Sequence, residues 1–125
     1  DKETALNRFR VQPPQPCDNE FLLQYIARNS LMPVDGGWTW KFDEDLLTSL
    51  TDAERKPEEF QALTTTLGVI FGADSELFSR RTLEYMQELI PEPFLIKEIA
   101  NAQHHLFLDQ PQAFVESLLE MCQKF

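Results

Sequence analysis

Asn101-Ala102-Gln103-His104-His105-Leu106-Phe107-Leu108-Asp109-Gln110-Pro111 joins a short apolar run, Phe94 to Ile99, to an amphipathic tail, Phe114 to Phe125. The run has the length and composition of a buried strand. Asp109 and Gln112 stand three residues apart, a capping-box spacing, and Pro111 is tolerated in a first helical turn. Phe114, Val115, Leu118, Leu119 and Cys122 would form the helix's inner face. The stretch therefore predicts a strand, a histidine-bearing loop and a capped helix. An imidazole at the carboxyl end of a strand in an α/β sheet stands where such sheets bind ligands. Histidine also titrates near neutrality, so it can both take and return a proton. A solvated turn is the plainer account of the same His-His pair, because strand-to-helix loops run over the surface.

The pattern has a precedent upstream. Thr65 to Phe71 is apolar or β-branched on both faces, as in a parallel strand covered on two sides. Gly72-Ala73-Asp74-Ser75 follows, then an expected helix from about Glu76 to Leu89 with Leu77, Phe78, Leu83, Met86 and Leu89, closed by Pro91 and Pro93. Strand, helix, strand, helix is the repeating unit of an α/β sheet. Two parallel strands with apolar faces cannot cover themselves. Further strands are expected from a longer polypeptide or from a partner chain, the former being preferred because small domains seldom leave such sheet edges open.

The first half is read more coarsely. Asp1 to Val11 suits a short helix, and Pro13, Pro14 and Pro16 impose an extended connection. Asp18 or Asn19 can cap a helix with Phe21, Leu22, Tyr25 and Ile26 on its buried face, ending at Arg28 and Asn29. Pro33 to Gly37 is turn chemistry, and Trp38-Thr39-Trp40-Lys41-Phe42 alternates aromatic with polar residues, so an extended backbone puts three rings on one side. Those rings suit an apolar pocket wall or ordinary core. Asp43 can cap a helix containing Leu46, Leu47 and Leu50, and Pro57 can start a turn through Phe60 and Leu63.

Totals restrict the function classes. The 125 residues, 42% hydrophobic, suit one globular domain. Eleven basic against 21 acidic residues give a net charge of -10, which disfavours nucleic acid and anionic membrane as partners. Cys17 and Cys122 lack metal or redox spacing and suggest free thiols in a reducing compartment, hence a cytoplasmic location, although a disulfide between them stays open. Adjacent histidines point apart on extended backbone and form no i,i+4 metal pair, so no metal is expected. With no Walker loop and no GxGxxG, no cofactor is expected either. Glu54, Glu58, Glu59, Glu84 and the Arg80-Arg81 pair suit solvated faces.

Leu67-Gly68-Val69-Ile70-Phe71-Gly72-Ala73-Asp74-Ser75 resembles the penultimate strand and acid-bearing turn of the α/β-hydrolase superfamily, and His104 to Pro111 resembles that family's histidine loop, with proline seven residues after the histidine. Gly36 to Asp43 resembles the segment that follows the helical cap in capped members. The resemblance implies an α/β fold comprising the C-terminal portion of a hydrolase sheet, two parallel strands with flanking helices, preceded by the tail of a helical cap. Residues 1–35 would be the cap tail, 36–64 the connection, and 65–125 the C-terminal part of the core. It implies a serine hydrolase acting on an ester, thioester or related acyl compound, with His104 catalytic, Asp74 the candidate acid, and Trp38, Trp40 and His105 as substrate contacts. Gln103 stands where the family usually has glycine, and Ser75 where it often has its acid. Members with serine there often carry the acid upstream, before the cap. No Gly-x-Ser-x-Gly nucleophile elbow occurs in the chain, so the serine would belong to the remainder of the hydrolase core, the expected partner. A non-catalytic interaction module on the same fold is the alternative, and a self-contained small α/β regulator a third.

Overall fold

The computed structural model describes residues 1–43, 45 and 56–125. They fall into two compact units, Asp1–Glu54 and Arg55–Phe125. The expected helix over Leu46, Leu47 and Leu50 lies outside the described residues, as does Glu54; Asp43 accepts a hydrogen bond from the amide of Asp45 at 3.0 Å.

In the first unit, α1 (Lys2–Asn7) is capped by Asp1, whose carboxylate accepts from the Thr4 amide at 2.9 Å. Helix α2 (Glu20–Asn29) is capped by Asn19, which accepts from the Leu22 amide at 3.1 Å. Its inward face differs from the expected one. Phe21 and Tyr25 are exposed, whereas Ala27 is buried and Leu22, Leu23 and Ile26 are partly so. The two stripes are offset by one residue and both are apolar, so period alone does not choose between them.

Directly after α2 come β1 (Leu31–Val34) and β2 (Gly37–Trp40), an antiparallel pair with Leu31 opposite Trp40 and Val34 opposite Gly37. The expected turn over Pro33 to Gly37 thus contracts to Asp35-Gly36, with Gly36 at φ 79, a region open to glycine at little cost. Pro33 is accommodated because this two-stranded ribbon has only edges. Trp38 and Trp40 share a face of β2, while Phe42 lies beyond the strand and is exposed.

The second unit starts with α3 (Pro57–Gln61), with proline in its first turn. Strands β3 (Gly68–Gly72) and β4 (Leu95–Ile99) run parallel in the register Gly68 to Leu95 through Gly72 to Ile99. Thr65 and Thr66, expected in the first strand, are exposed and precede the pairing. Helix α4 (Arg80–Leu89) connects the strands and begins later than Glu76, because Ser79 forms a capping box with Thr82 and Ser75 Oγ accepts from the Phe78 amide at 3.1 Å. Leu77, expected on the inner face, is exposed as a result. Ion pairs tie β4 to both neighbouring helices: Arg80 with Glu98, and Lys97 with Glu120, each at 2.5 Å. The hydrogen bond from Lys97, with its positive charge, holds the Glu120 carboxyl below its ordinary pKa.

After β4 the chain forms a loop, a short α5 (Leu106–Asp109) and then α6 (Pro111–Cys122). Helix α6 therefore starts at Pro111 with no side-chain cap, and Asp109 ends α5 instead of capping α6. Its inward face also departs from expectation: Val115, Leu118, Leu119 and Cys122 are exposed, Phe114 is partly buried, and Met121 is buried. A Cβ built on Gly68 would stand 2.1 Å from the Met121 sulfur, so this side chain fills the space over the start of β3. Cys17 and Cys122 are free thiols. Among the described residues no helix is long and apolar enough to cross a membrane.

Met121→Ala removes the thioether that covers Gly68 and should lower unfolding stability by about 2–4 kcal/mol. Thermal or urea unfolding checks this; a loss no larger than that of Leu119→Ala, an exposed position of the same helix, contradicts the packing described.

Candidate active site

Because Gly72 pairs with Ile99, β3 and β4 end at the same level and their following segments emerge side by side. Hydrogen bonding continues past the strands. The Ala73 amide donates to the Ile99 carbonyl at 2.9 Å, and the Asp74 amide to the Ala102 carbonyl, also at 2.9 Å. Asn101 takes φ 54, a left-handed conformation that asparagine tolerates better than most residues. Ala102 is fully buried, and the backbone crosses the end of β3 so closely that a Cβ on Gly72 would lie 2.2 Å from the Ala102 carbonyl oxygen and 2.3 Å from that of Gln103.

His104 and His105 follow at the top of this loop. His104 is exposed and His105 partly buried, with their rings 5.4 Å apart in an edge arrangement. The His105 ring also meets Phe107, which in turn meets Phe114. A shallow depression of about 300 Å³ runs along β3 and is bordered by Ser75, Phe78, His104 and Leu106. Phe78 packs on Phe71 at 5.1 Å between ring centroids, giving the depression an aromatic wall.

Asp74 lies in the turn opposite the histidine loop, with an exposed side chain. Backbone bonding brings Asp74 and His104 into adjacent segments, yet among the described residues no hydrogen bond joins the carboxylate to the imidazole. Helix α4 begins beyond Asp74, with Ser79 as its cap. Trp38 and Trp40 belong to the first unit. There the Lys2 ammonium sits 4.6 Å from the Trp38 ring centre, and Trp40 packs on Phe9 at 5.5 Å. Among the described residues no three His, Cys, Asp or Glu side chains gather as metal ligands.

Two residues gain weight from the structure. Ser75 is buried and fixes the turn after β3 through the Phe78 amide. Asp109 accepts from the Gln103 amide at 2.7 Å, immediately before His104. The sequence marks Asp109 only as a helix cap and Ser75 only as a departure from the family's acid position, so neither of these backbone contacts is expected from it.

No protein-family model matches the chain, and no curated protein matches it by sequence. Solved structures do. E-2-(Acetamidomethylene)succinate hydrolase is similar with a TM-score of 0.69 at 15% identity, covering 98% of this chain and 52% of that one. A Rickettsia typhi protein assigned as a hydrolase gives 0.65 at 18% identity, covering 96% and 42%. A carboxylesterase from Bacillus subtilis gives 0.52 at 17% identity, covering 99% and 41%. The chain thus shares the α/β fold of part of these hydrolases. It spans about half or less of the length of these structures.

Gly72→Ala should displace the histidine loop, since the added methyl meets two backbone carbonyls that have no rotamer by which to retreat. Unfolding stability should fall by about 1–3 kcal/mol, with the amide resonances of 102–105 shifting most. Unchanged resonances there would contradict the close approach.

Proposed function

We propose that this chain supplies the catalytic histidine, His104, to a serine hydrolase that cleaves an ester, thioester or related acyl bond. The observation that carries the reading is the backbone bond from Asp74 to Ala102, which holds the loop before His104 against the turn after β3 at the carboxyl ends of two parallel strands. Reactive groups in α/β sheets gather at this end. The hydrolase-like fold supports the reading, and so does the exposure of His104 beside the depression along β3.

In this reading a serine hydroxyl from the remainder of the hydrolase core attacks the acyl carbon while His104 accepts its proton. The tetrahedral intermediate collapses as the imidazolium returns that proton to the leaving group, and water repeats the sequence to release the acid. Asp74 is the candidate carboxylate that fixes the imidazole tautomer; the other candidate is an acid upstream of Asp1. Trp38, Trp40 and His105 are proposed contacts to the acyl substrate in the complete enzyme. Residues 1–35 would be the tail of a helical cap, 36–64 its connection and 65–125 the last part of the core. The reaction needs no cofactor, and a cytoplasmic location is proposed with it.

One observation favours the second reading, an interaction module without a working triad: among the described residues the Asp74 carboxylate makes no hydrogen bond to His104. Hydrolysis of p-nitrophenyl butyrate by the full polypeptide separates the two. His104→Ala should lower kcat by about 10⁴-fold while leaving the unfolding midpoint nearly unchanged, because an exposed imidazole fills no core volume. His105→Ala should keep most activity. Equal activity in wild type and His104→Ala would reject the catalytic role, and an inactive wild type would favour the interaction module.

Asp74→Asn keeps the size of the side chain and removes its charge. A loss near that of His104→Ala identifies Asp74 as the acid, whereas near-normal turnover assigns the acid to a residue upstream of Asp1.

A further inference from the structure

The backbone is bonded on both sides of His104. On one side Ala102 accepts from Asp74, and the Gln103 amide donates to Asp109 Oδ2 at 2.7 Å; on the other, the His105 carbonyl accepts from the Leu108 amide at 2.8 Å. Next to Asp109, the Gln110 side-chain amide donates to the Asn101 carbonyl at 3.2 Å. The junction between α5 and α6 thus reaches back to the loop at Asn101 and Gln103. Of these contacts, the one from Asp109 is charged, short and nearest to His104, and hydrogen bonds to an ionised acceptor are about twice as strong as neutral ones. Helix α6 begins without a side-chain cap from Gln110, and the Asp109 carboxylate just before it accepts from the loop at Gln103.

We propose that Asp109 is a positioning residue: by holding the Gln103 amide it fixes the point from which His104 takes and returns its proton, a role that rests on the catalytic reading above. With Gln103 anchored, the preceding residue cannot rotate its peptide, and the His104 side chain leaves the backbone in one direction. Without the carboxylate, a partly buried amide loses its acceptor and the loop must turn to find another. A displacement of about 1 Å at a reacting group costs on the order of 100-fold in rate.

The test compares Asp109→Ala, Asp109→Asn and His104→Ala in the full polypeptide, with p-nitrophenyl butyrate as substrate and hydrogen exchange of the Gln103 amide as a second readout. Asp109→Ala should lower kcat about 100-fold with KM within about twofold, and should speed Gln103 exchange. Asp109→Asn retains an oxygen acceptor at the same place, so it should return kcat to within about tenfold of wild type and restore slow exchange. Wild-type turnover and slow exchange in Asp109→Ala would overturn the proposal, and so would an asparagine variant as slow as alanine. Should the alanine variant fail to fold, Asp109→Asn decides alone, since a loss matching that of His104→Ala would overturn the role. Activity that survives in His104→Ala would instead remove the catalytic reading, and Gln103 exchange would then decide whether Asp109 anchors the loop.

Discussion

The hydrogen-bond ladder between β3 and β4 does not stop where the strands do. It runs on through the amides of Ala73 and Asp74, which reach the carbonyls of Ile99 and Ala102. This extension requires the loop to cross the end of β3 in near contact with Gly72, a space that a Cβ would close. The turn carrying Asp74 and the loop carrying His104 are consequently set by backbone, with little freedom left to the side chains. Burial of Ala102 and Ser75 on either side seals the junction.

The elements around this junction act as supports. Helix α6 packs on β3 and β4 through Met121, and its Glu120 pairs with Lys97 of β4. On the other flank, Arg80 at the start of α4 pairs with Glu98. Such exposed pairs contribute little stability singly. Burial supplies more, from Phe71, Ile90, Ile99, Leu108 and Met121. Among the described residues β3 pairs only with β4, and the depression along β3 remains open. In the proposed enzyme, the remainder of the core would pair with that edge.

Much of the second unit was legible in the sequence because its signals are local. Two short apolar runs, a helix closed by Pro91 and Pro93, and a loop carrying His104 fix a strand-helix-strand-helix order and a parallel sheet. Helix faces were less legible: Phe21, Tyr25, Val115, Leu118 and Leu119 all carry inward-looking periodicity yet are exposed. Each helix has more apolar residues than one stripe needs, so only its partner selects the face. The hairpin at Asp35-Gly36 was obscured by Pro33, which marks a turn in most contexts but sits here on an unpaired edge. Asp109 escaped notice as a loop anchor because its partner, the Gln103 amide, is a backbone group that sequence does not display.

In the proposed mechanism the loop after β4 delivers a proton-transferring imidazole to a serine nucleophile. A fluorophosphonate probe tests this without knowledge of the natural acyl group, because it captures only a serine whose proton has an acceptor. Rapid labelling of one serine outside residues 1–125 in the full polypeptide is expected, lost in His104→Ala and retained in His105→Ala. Undiminished labelling in His104→Ala would contradict it.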